Sequence, residues 1–385
     1  MEDSYIRTFC KTLQALIAEK GATTEVLARL LGSEKSSSDL LAGKRLPTIA
    51  ESSVLGAYFG VDPSVLRMEQ SPSLGVSLRL GKVEGIHDVS NAVQHASRLL
   101  AVDRLTREWG FEEPTRSLVG FSPSGKWHDR QAGEISADRL RAFLGIEPID
   151  AVAELTELVE SIGCPVEYRP LPNHVHGISV PEVRNDSVRW VVLINSKDGW
   201  GRQRYTLAHE LSHILYRDSG QVIVERATVE DKRPERIADS FARHFLLPRD
   251  AVEEVCDGFG KIKNFADAAV LVATLMFGYG ISRDATVIAL RDDGITILGE
   301  SLLEEVSRAS VSELMQVAGR SHDWNEMNQA KGLSFPSPRL TKQALDAYSE
   351  GLISLQSVAN VIAEGDLGIA KQQLREAGWE NMAGV

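Results

Sequence analysis

Residues 204–216, Arg-Tyr-Thr-Leu-Ala-His-Glu-Leu-Ser-His-Ile-Leu-Tyr, decide how the rest of the chain is read. On a helix, His209 and His213 are four positions apart and project from one face. Two neutral imidazoles at that separation bind a single metal ion, and zinc, a borderline Lewis acid, suits them. Glu210 lies one position round the helix, where its carboxylate reaches a water beside the ion rather than the ion itself. Just upstream, Arg189–Ile194 is a short β-rich run that ends at Asn195-Ser196. Pro165–Leu171 and His176–Val180 have the same character, and helical patterns surround all three. The expected fold class is therefore mainly α with a small β-sheet, α+β.

A catalytic zinc takes three protein ligands and keeps one position open. The metzincin continuation needs Gly at position 216 and His at 219, where this chain has Tyr216 and Ser219. The next helical segment, Pro234–Phe245, carries Glu235, 22 positions after His213 (235 − 213), and Asp239 one turn further on. Both fall on one helix face, so one carboxylate can ligate while the other orients a histidine. This E-x-x-x-D pair resembles that of thermolysin-like gluzincins. His244, on the same helix, is a rival third ligand.

Taken together, WVVLINS, RYTLAHELSHILY and ERIADSFARHFLLPRD resemble the ImmA/IrrE-type (DUF955) metallopeptidases, over residues 130–290. The resemblance implies one Zn2+ per chain, held by His209, His213 and Glu235, with Glu210 as the catalytic base. Asp239 stands where the family has Asn or Asp, and Pro248 ends the second helix. Ser212 stands where the family has Gly before the second histidine. A zinc endopeptidase is implied, with a repressor or antitoxin-like regulator as its protein substrate. His174, His176 and Tyr168 lie in the strand region that would border its cleft.

The N-terminal segment reads as short helices: Ile6–Lys20, Thr24–Leu31, one capped by Ser33 and running to Leu41, one from Pro47-Thr48 to Gly60, and Ser64–Met68. This segment resembles a Cro/C1-type (XRE) helix-turn-helix domain. The resemblance implies that Glu34–Leu41 enters the major groove, with Lys35, Ser36, Ser37 and Ser38 near base edges. Lys44 and Arg45 would lie near phosphates, and two copies would act as a homodimer.

Charge limits how nucleic acid is met. With 42 Lys and Arg against 54 Asp and Glu, a net charge of −12 excludes coating of nucleic acid or anionic membrane by bulk attraction. One small module reading DNA locally remains compatible. No apolar run approaches the ~18–20 residues of a membrane span. The first residues carry charges through their apolar positions, with no signal-peptide core, so no membrane partner and a cytoplasmic location are expected. Cys10, Cys164 and Cys256 are odd in number and scattered, as buried thiols in a reducing compartment would be.

The 385 residues thus divide into a helix-turn-helix bundle (1–69), a helical connector (70–130), a gluzincin-like peptidase core (131–290) and a helical C-terminal domain (291–385). The connector holds a Ser- and Gly-containing linker, Gln70–Gly81, a long helix, Val89–Trp109, and a loop, Ser117–Arg130. The C-terminal domain ends in two helices, Leu340–Glu350 and Leu355–Gly378. The function expected is a zinc-dependent endopeptidase coupled to transcriptional regulation, in stress response or control of a mobile element. The alternative is a non-proteolytic DNA-binding regulator whose peptidase-like core senses a metal, metabolite or partner. A third is a protease effector in a toxin–antitoxin or phage-defence pair.

Overall fold

Residues 190–194, Trp-Val-Val-Leu-Ile, form an unbroken apolar run because both faces of their strand are covered. The computed structural model describes residues 2–20, 22–61, 66, 77–80, 90–111, 115–125, 128–184, 187–216, 233–292 and 298–378. Within these, β1 (Ser77–Leu80), β2 (Val166–Arg169), β3 (Val175–Arg184) and β4 (Ser187–Asn195) form one sheet, in the order β1-β3-β4-β2. β3 is antiparallel to both β1 and β4, and β2 is parallel to β4.

On β4, Trp190, Val192 and Ile194 point into one core, and Val191 and Leu193 into another. The first core is built with α6 (Asp129–Leu144), α7 (Leu155–Ser161), α8 (Trp200–Tyr216), α9 (Arg233–Leu246) and α11 (Phe265–Tyr279), through residues such as Leu140, Val159, Leu211, Phe241 and Leu271. α6 and α9 cross so closely at Gly133 that a Cβ there would lie 2.4 Å from the Ile237 carbonyl oxygen. α10 (Arg249–Gly258), α12 (Arg283–Asp292), α13 (Glu300–Arg308) and α14 (Val311–Val317) extend this layer.

The second core covers the opposite face of the sheet. It joins Ile178, Val180, Val191 and Leu193 to α5 (Ser90–Glu108), α16 (Pro338–Ser349) and α17 (Leu355–Ile362). Residues 298–374 contribute to both cores, Leu303 and Leu314 to the first and Leu340, Val358 and Leu374 to the second, and Ala359, Ala363 and Ala370 add a small cluster of their own. After α15 (Ser321–Met327), Phe335 runs along the outer edge of β2, exchanging backbone hydrogen bonds of 3.0 and 2.7 Å with Tyr168.

The N-terminal bundle comprises α1 (Glu2–Lys20), α2 (Thr24–Leu30), α3 (Glu34–Leu41) and α4 (Ile49–Phe59) around Phe9, Leu13, Leu27, Leu40 and Leu55. Thr23, Ser33 and Thr48 cap the last three helices, Thr48 in a full capping box with Glu51. The bundle sits on the second layer, where the Ser357 hydroxyl donates to the Ala57 carbonyl and Val54 and Ala57 join the core.

Two expectations are corrected. Within the segment expected as a linker, Ser77–Leu80 is strand β1, because the outer edge of β3 supplies backbone partners that composition does not reveal. The helix expected over Leu355–Gly378 is two: the chain turns at Glu364 (φ 55) and Gly365 (φ 94), and Asp366 caps α18 (Leu367–Glu376). Of the expected fifth helix, Ser64–Met68, only buried Leu66 lies among the described residues. No single helix among these residues is long and apolar enough to cross a membrane.

Candidate metal centre

Helix α8 carries His209 and His213 into the interior, at 1% and 3% exposure. Their Nε2 atoms lie 3.2 Å apart. From α9, Glu235 closes the triangle, Oε2 at 3.2 Å from His209 Nε2 and Oε1 at 3.5 Å from His213 Nε2. Zinc–nitrogen and zinc–oxygen bonds of about 2.0–2.1 Å at tetrahedral angles place donors about 3.3 Å apart, so this spacing matches one small ion. Two imidazoles and a carboxylate are also the donor set zinc takes when one position stays open. Burial by itself would raise the Glu235 carboxyl. The hydrogen bond to His209, then the charges of His209 and His213, outweigh it and hold that carboxyl below its ordinary range.

Asp239, one turn beyond Glu235, places Oδ1 3.0 Å from His209 Nδ1. An N–H on Nδ1 donated to that carboxylate leaves the Nε2 lone pair turned toward Glu235 and His213. Tyr205 is tied to the same residue, its hydroxyl donating to the Asp239 carbonyl at 2.9 Å.

Glu210 is fully buried. The Ser179 hydroxyl donates to its Oε2 at 2.6 Å, whereas Oε1 has no hydrogen-bond partner among the described residues. A buried carboxylate oxygen without a protein partner is costly, so the position favours a polar group brought to it from outside the chain. Gly177, two residues before Ser179 on β3, lets the strand lie against α8: a Cβ there would meet Thr206 Cγ2 at 2.5 Å and Glu210 Oε1 at 3.2 Å.

His244 is not part of this cluster: its Nδ1 faces the Ser240 carbonyl at 2.8 Å and its Nε2 lies 4.0 Å from Glu134. His176 pairs with Asp198 at 2.8 Å, the Tyr168 hydroxyl shares a hydrogen with Thr156 at 2.7 Å, and His174 takes a left-handed conformation (φ 69) just before β3. All three cysteines are free; burial pushes the Cys256 thiol up to about 11 and Cys164 higher still.

On α3, Lys35 and Ser38 are exposed, and the Ser36 N–H bonds the Ser33 hydroxyl at 3.3 Å. Ser37, expected near base edges, is instead 5% exposed and donates to the Glu34 carbonyl at 2.9 Å. It lies one turn before Leu40 and shares that residue's inward face. The cations expected at phosphates are paired within the bundle: Lys44 with Asp39 at 2.9 Å, Arg45 with both oxygens of Glu51 at 2.6 and 2.7 Å.

The sequence reading missed Ser179, Gly177 and Tyr205. A signal was present in Gly177-Ile178-Ser179-Val180, where small residues alternate with apolar ones. The strand period of two puts the small pair on the side that a helix must approach.

Comparison with known proteins places this stretch in context. Residues 159–290 match the peptidase M78 family described as the IrrE N-terminal-like domain. The radiation response metalloprotease IrrE of Deinococcus deserti is 28% identical over 125 residues, 29% of this chain and 44% of that protein. The chain thus matches less than half the length of that relative. Its centre is similar to ImmA/IrrE-type peptidase domains.

Proposed function

We propose that the chain is a zinc-dependent endopeptidase coupled to transcriptional regulation. The observation that carries this reading is the triangle of His209, His213 and Glu235 with the buried, half-satisfied carboxylate of Glu210 on the adjacent helix position. When bound, zinc would lower the pKa of a water to about 7 and polarise a peptide carbonyl. Glu210 would take the proton of the attacking water on Oε1 and deliver it to the leaving amine. Ser179 fixes the rotamer that leaves this oxygen available, and Asp239 with Tyr205 fixes the ring of His209.

The substrate we assign is a repressor or antitoxin-like regulator, by analogy with the family that the motif helices resemble. The N-terminal bundle would meet DNA as a homodimer through the exposed residues of α3, Lys35 and Ser38, in the cytoplasm. Because Lys44 and Arg45 are paired internally, affinity would depend on dimerisation more than on phosphate contacts.

Zinc analysis of the protein, paired with Glu210→Gln, tests the reading. About one zinc per chain in both proteins, with hydrolysis lost only in the variant by about 10²–10⁴-fold, supports it. Loss of zinc together with activity would mean that Glu210 had been given the wrong role. Regulation retained by a zinc-bound, inactive Glu210→Gln protein would make the centre a sensor.

A further inference from the structure

Strand β3 touches the carboxylate of Glu210 through the Ser179 hydroxyl, and the missing side chain of Gly177 lets the strand lie close to it. One lateral edge of β3 is taken up by β4, which pairs with it along its length. A peptide that joins the sheet beside Glu210 must therefore use the other edge, whose backbone groups can pair with any extended chain. That edge is filled by the protein itself. Ser77 pairs with Ser179, Leu78 with Ile178 and Arg79 with Gly177, all antiparallel, before the register shifts between Arg79 and Leu80. β1 thus spans β3 from Val175 to Ser179, the stretch that holds the hydrogen-bond partner of Glu210, Ser179, and the glycine that lets the strand approach it, Gly177.

We propose that Ser77–Leu80 is an intramolecular pseudosubstrate. It occupies the strand-addition site through which the metal centre takes extended peptides, and it must leave before a substrate binds. The meaning of the site rests on the peptidase reading above, but its occupancy is a matter of backbone pairing and is measured without turnover. Four residues ending in an irregular register make a weak strand on their own. Tethering supplies what the pairing lacks, since a segment held in the same chain competes at an effective concentration of about millimolar. The substrate class follows: a segment unpaired and extended in its own fold, such as a linker or a locally unfolded strand, rather than a helix. The opposite edge of the sheet, on β2, is met by the backbone of Phe335 at Tyr168, and β1 is the segment that takes the edge on the Glu210 side.

The test uses the full-length, zinc-loaded chain carrying Glu210→Gln, so that a bound peptide is not cut. Leu78→Pro with Arg79→Pro removes two consecutive backbone N–H groups, at least one of which faces β3. The probe is a fluorescein-labelled decapeptide, LGVSLRLGKV, identical to residues 74–83. Its anisotropy should titrate at least about ten-fold tighter with the proline variant than with the parent, the gain expected when a tethered competitor is removed. Equal affinity for both proteins, or binding to neither, overturns the proposal. If a thermal melt shows the proline variant to be unfolded, Leu78→Gly with Arg79→Gly loosens the strand and is read the same way. Hydrolysis of quenched-fluorescent casein by Glu210-intact proteins is a separate arm. Peptide binding without any hydrolysis sinks the peptidase reading and leaves the strand site standing. Hydrolysis together with equal peptide binding does the reverse.

Discussion

Ser179 on β3 donates to Glu210 Oε2 at 2.6 Å, which joins the sheet to the motif helix, while the other oxygen of that carboxylate has no partner among the described residues. Hydrogen bonds to charged groups are worth about 1.5–3 kcal/mol, which converts to roughly 10–150-fold in a rate that depends on them. Ser179→Ala should therefore lower kcat by about 10–100-fold at unchanged zinc content. Parallel kinetics and metal analysis decide this, and an unchanged kcat would reduce the contact to a packing role.

Asp239 should act on metal affinity rather than on the fold, because it meets His209 from a half-exposed position at the surface of α9. Asp239→Ala is expected to weaken zinc binding by about 10–100-fold in competition with a chromogenic chelator. Its melting temperature without metal should stay close to the parent's. Tyr205→Phe, which removes a hydroxyl that donates to the Asp239 carbonyl at 2.9 Å and meets its Oδ1 at 3.5 Å, should have the smaller effect.

The legible part of this site was the part set by spacing along one or two helices. The i, i+4 separations of His209 from His213 and of Glu235 from Asp239 fix which side chains share a face before any tertiary contact forms. The cap at Ser33 was readable for the same reason. β1 was not, since its pairing partner lies about a hundred residues away (179 − 77) and is recognised through backbone atoms common to every residue. Nor was the break at Glu364, where a non-glycine residue turns left-handed within an otherwise helical pattern. Ser37 differs from its serine neighbours because the three-residue step to Leu40 puts it on the inward face, which a run of identical residues does not display.

Glu51 gives the N-terminal bundle a pH dependence with a definite sign. The Arg45 guanidinium hydrogen-bonds its carboxyl, and against the cost of burial this pair and Thr48 hold it at about 2, below the ordinary 4.5. A carboxyl depressed on folding contributes stability above its unfolded pKa and loses it as pH falls. Thermal stability should accordingly decline between about pH 5 and pH 2 as this contribution is lost. Arg45→Ala should flatten that part of the decline in calorimetric scans at matched ionic strength.

For DNA, the internal pairs of Lys44 and Arg45 predict a shallow salt dependence. Lys35→Ala should lower the slope of log K against log salt by about 0.9, the value for one phosphate contact. Lys44→Ala should change it less, as Lys44 is already paired with Asp39. Substitution of Ser38 should alter base preference, whereas Ser37→Val should disturb the bundle instead. Gel shifts on the promoter of the protein's own gene, at several salt concentrations, measure all of these.

The sheet with two covered faces sets the size of the inheritable unit. Residues 159–290 contain the motif helices and three of the four strands, yet Ile178, Val180, Val191 and Leu193 on those strands are sheltered by residues drawn from 92–105 and 340–358. Cut out by itself, that stretch would bring an oily slab into water and invite other chains to stack on it. What can be transplanted between proteins with its chemistry intact is therefore a good deal longer than what carries the chemistry, and a gene fusion at residue 290 would need to bring its own cover.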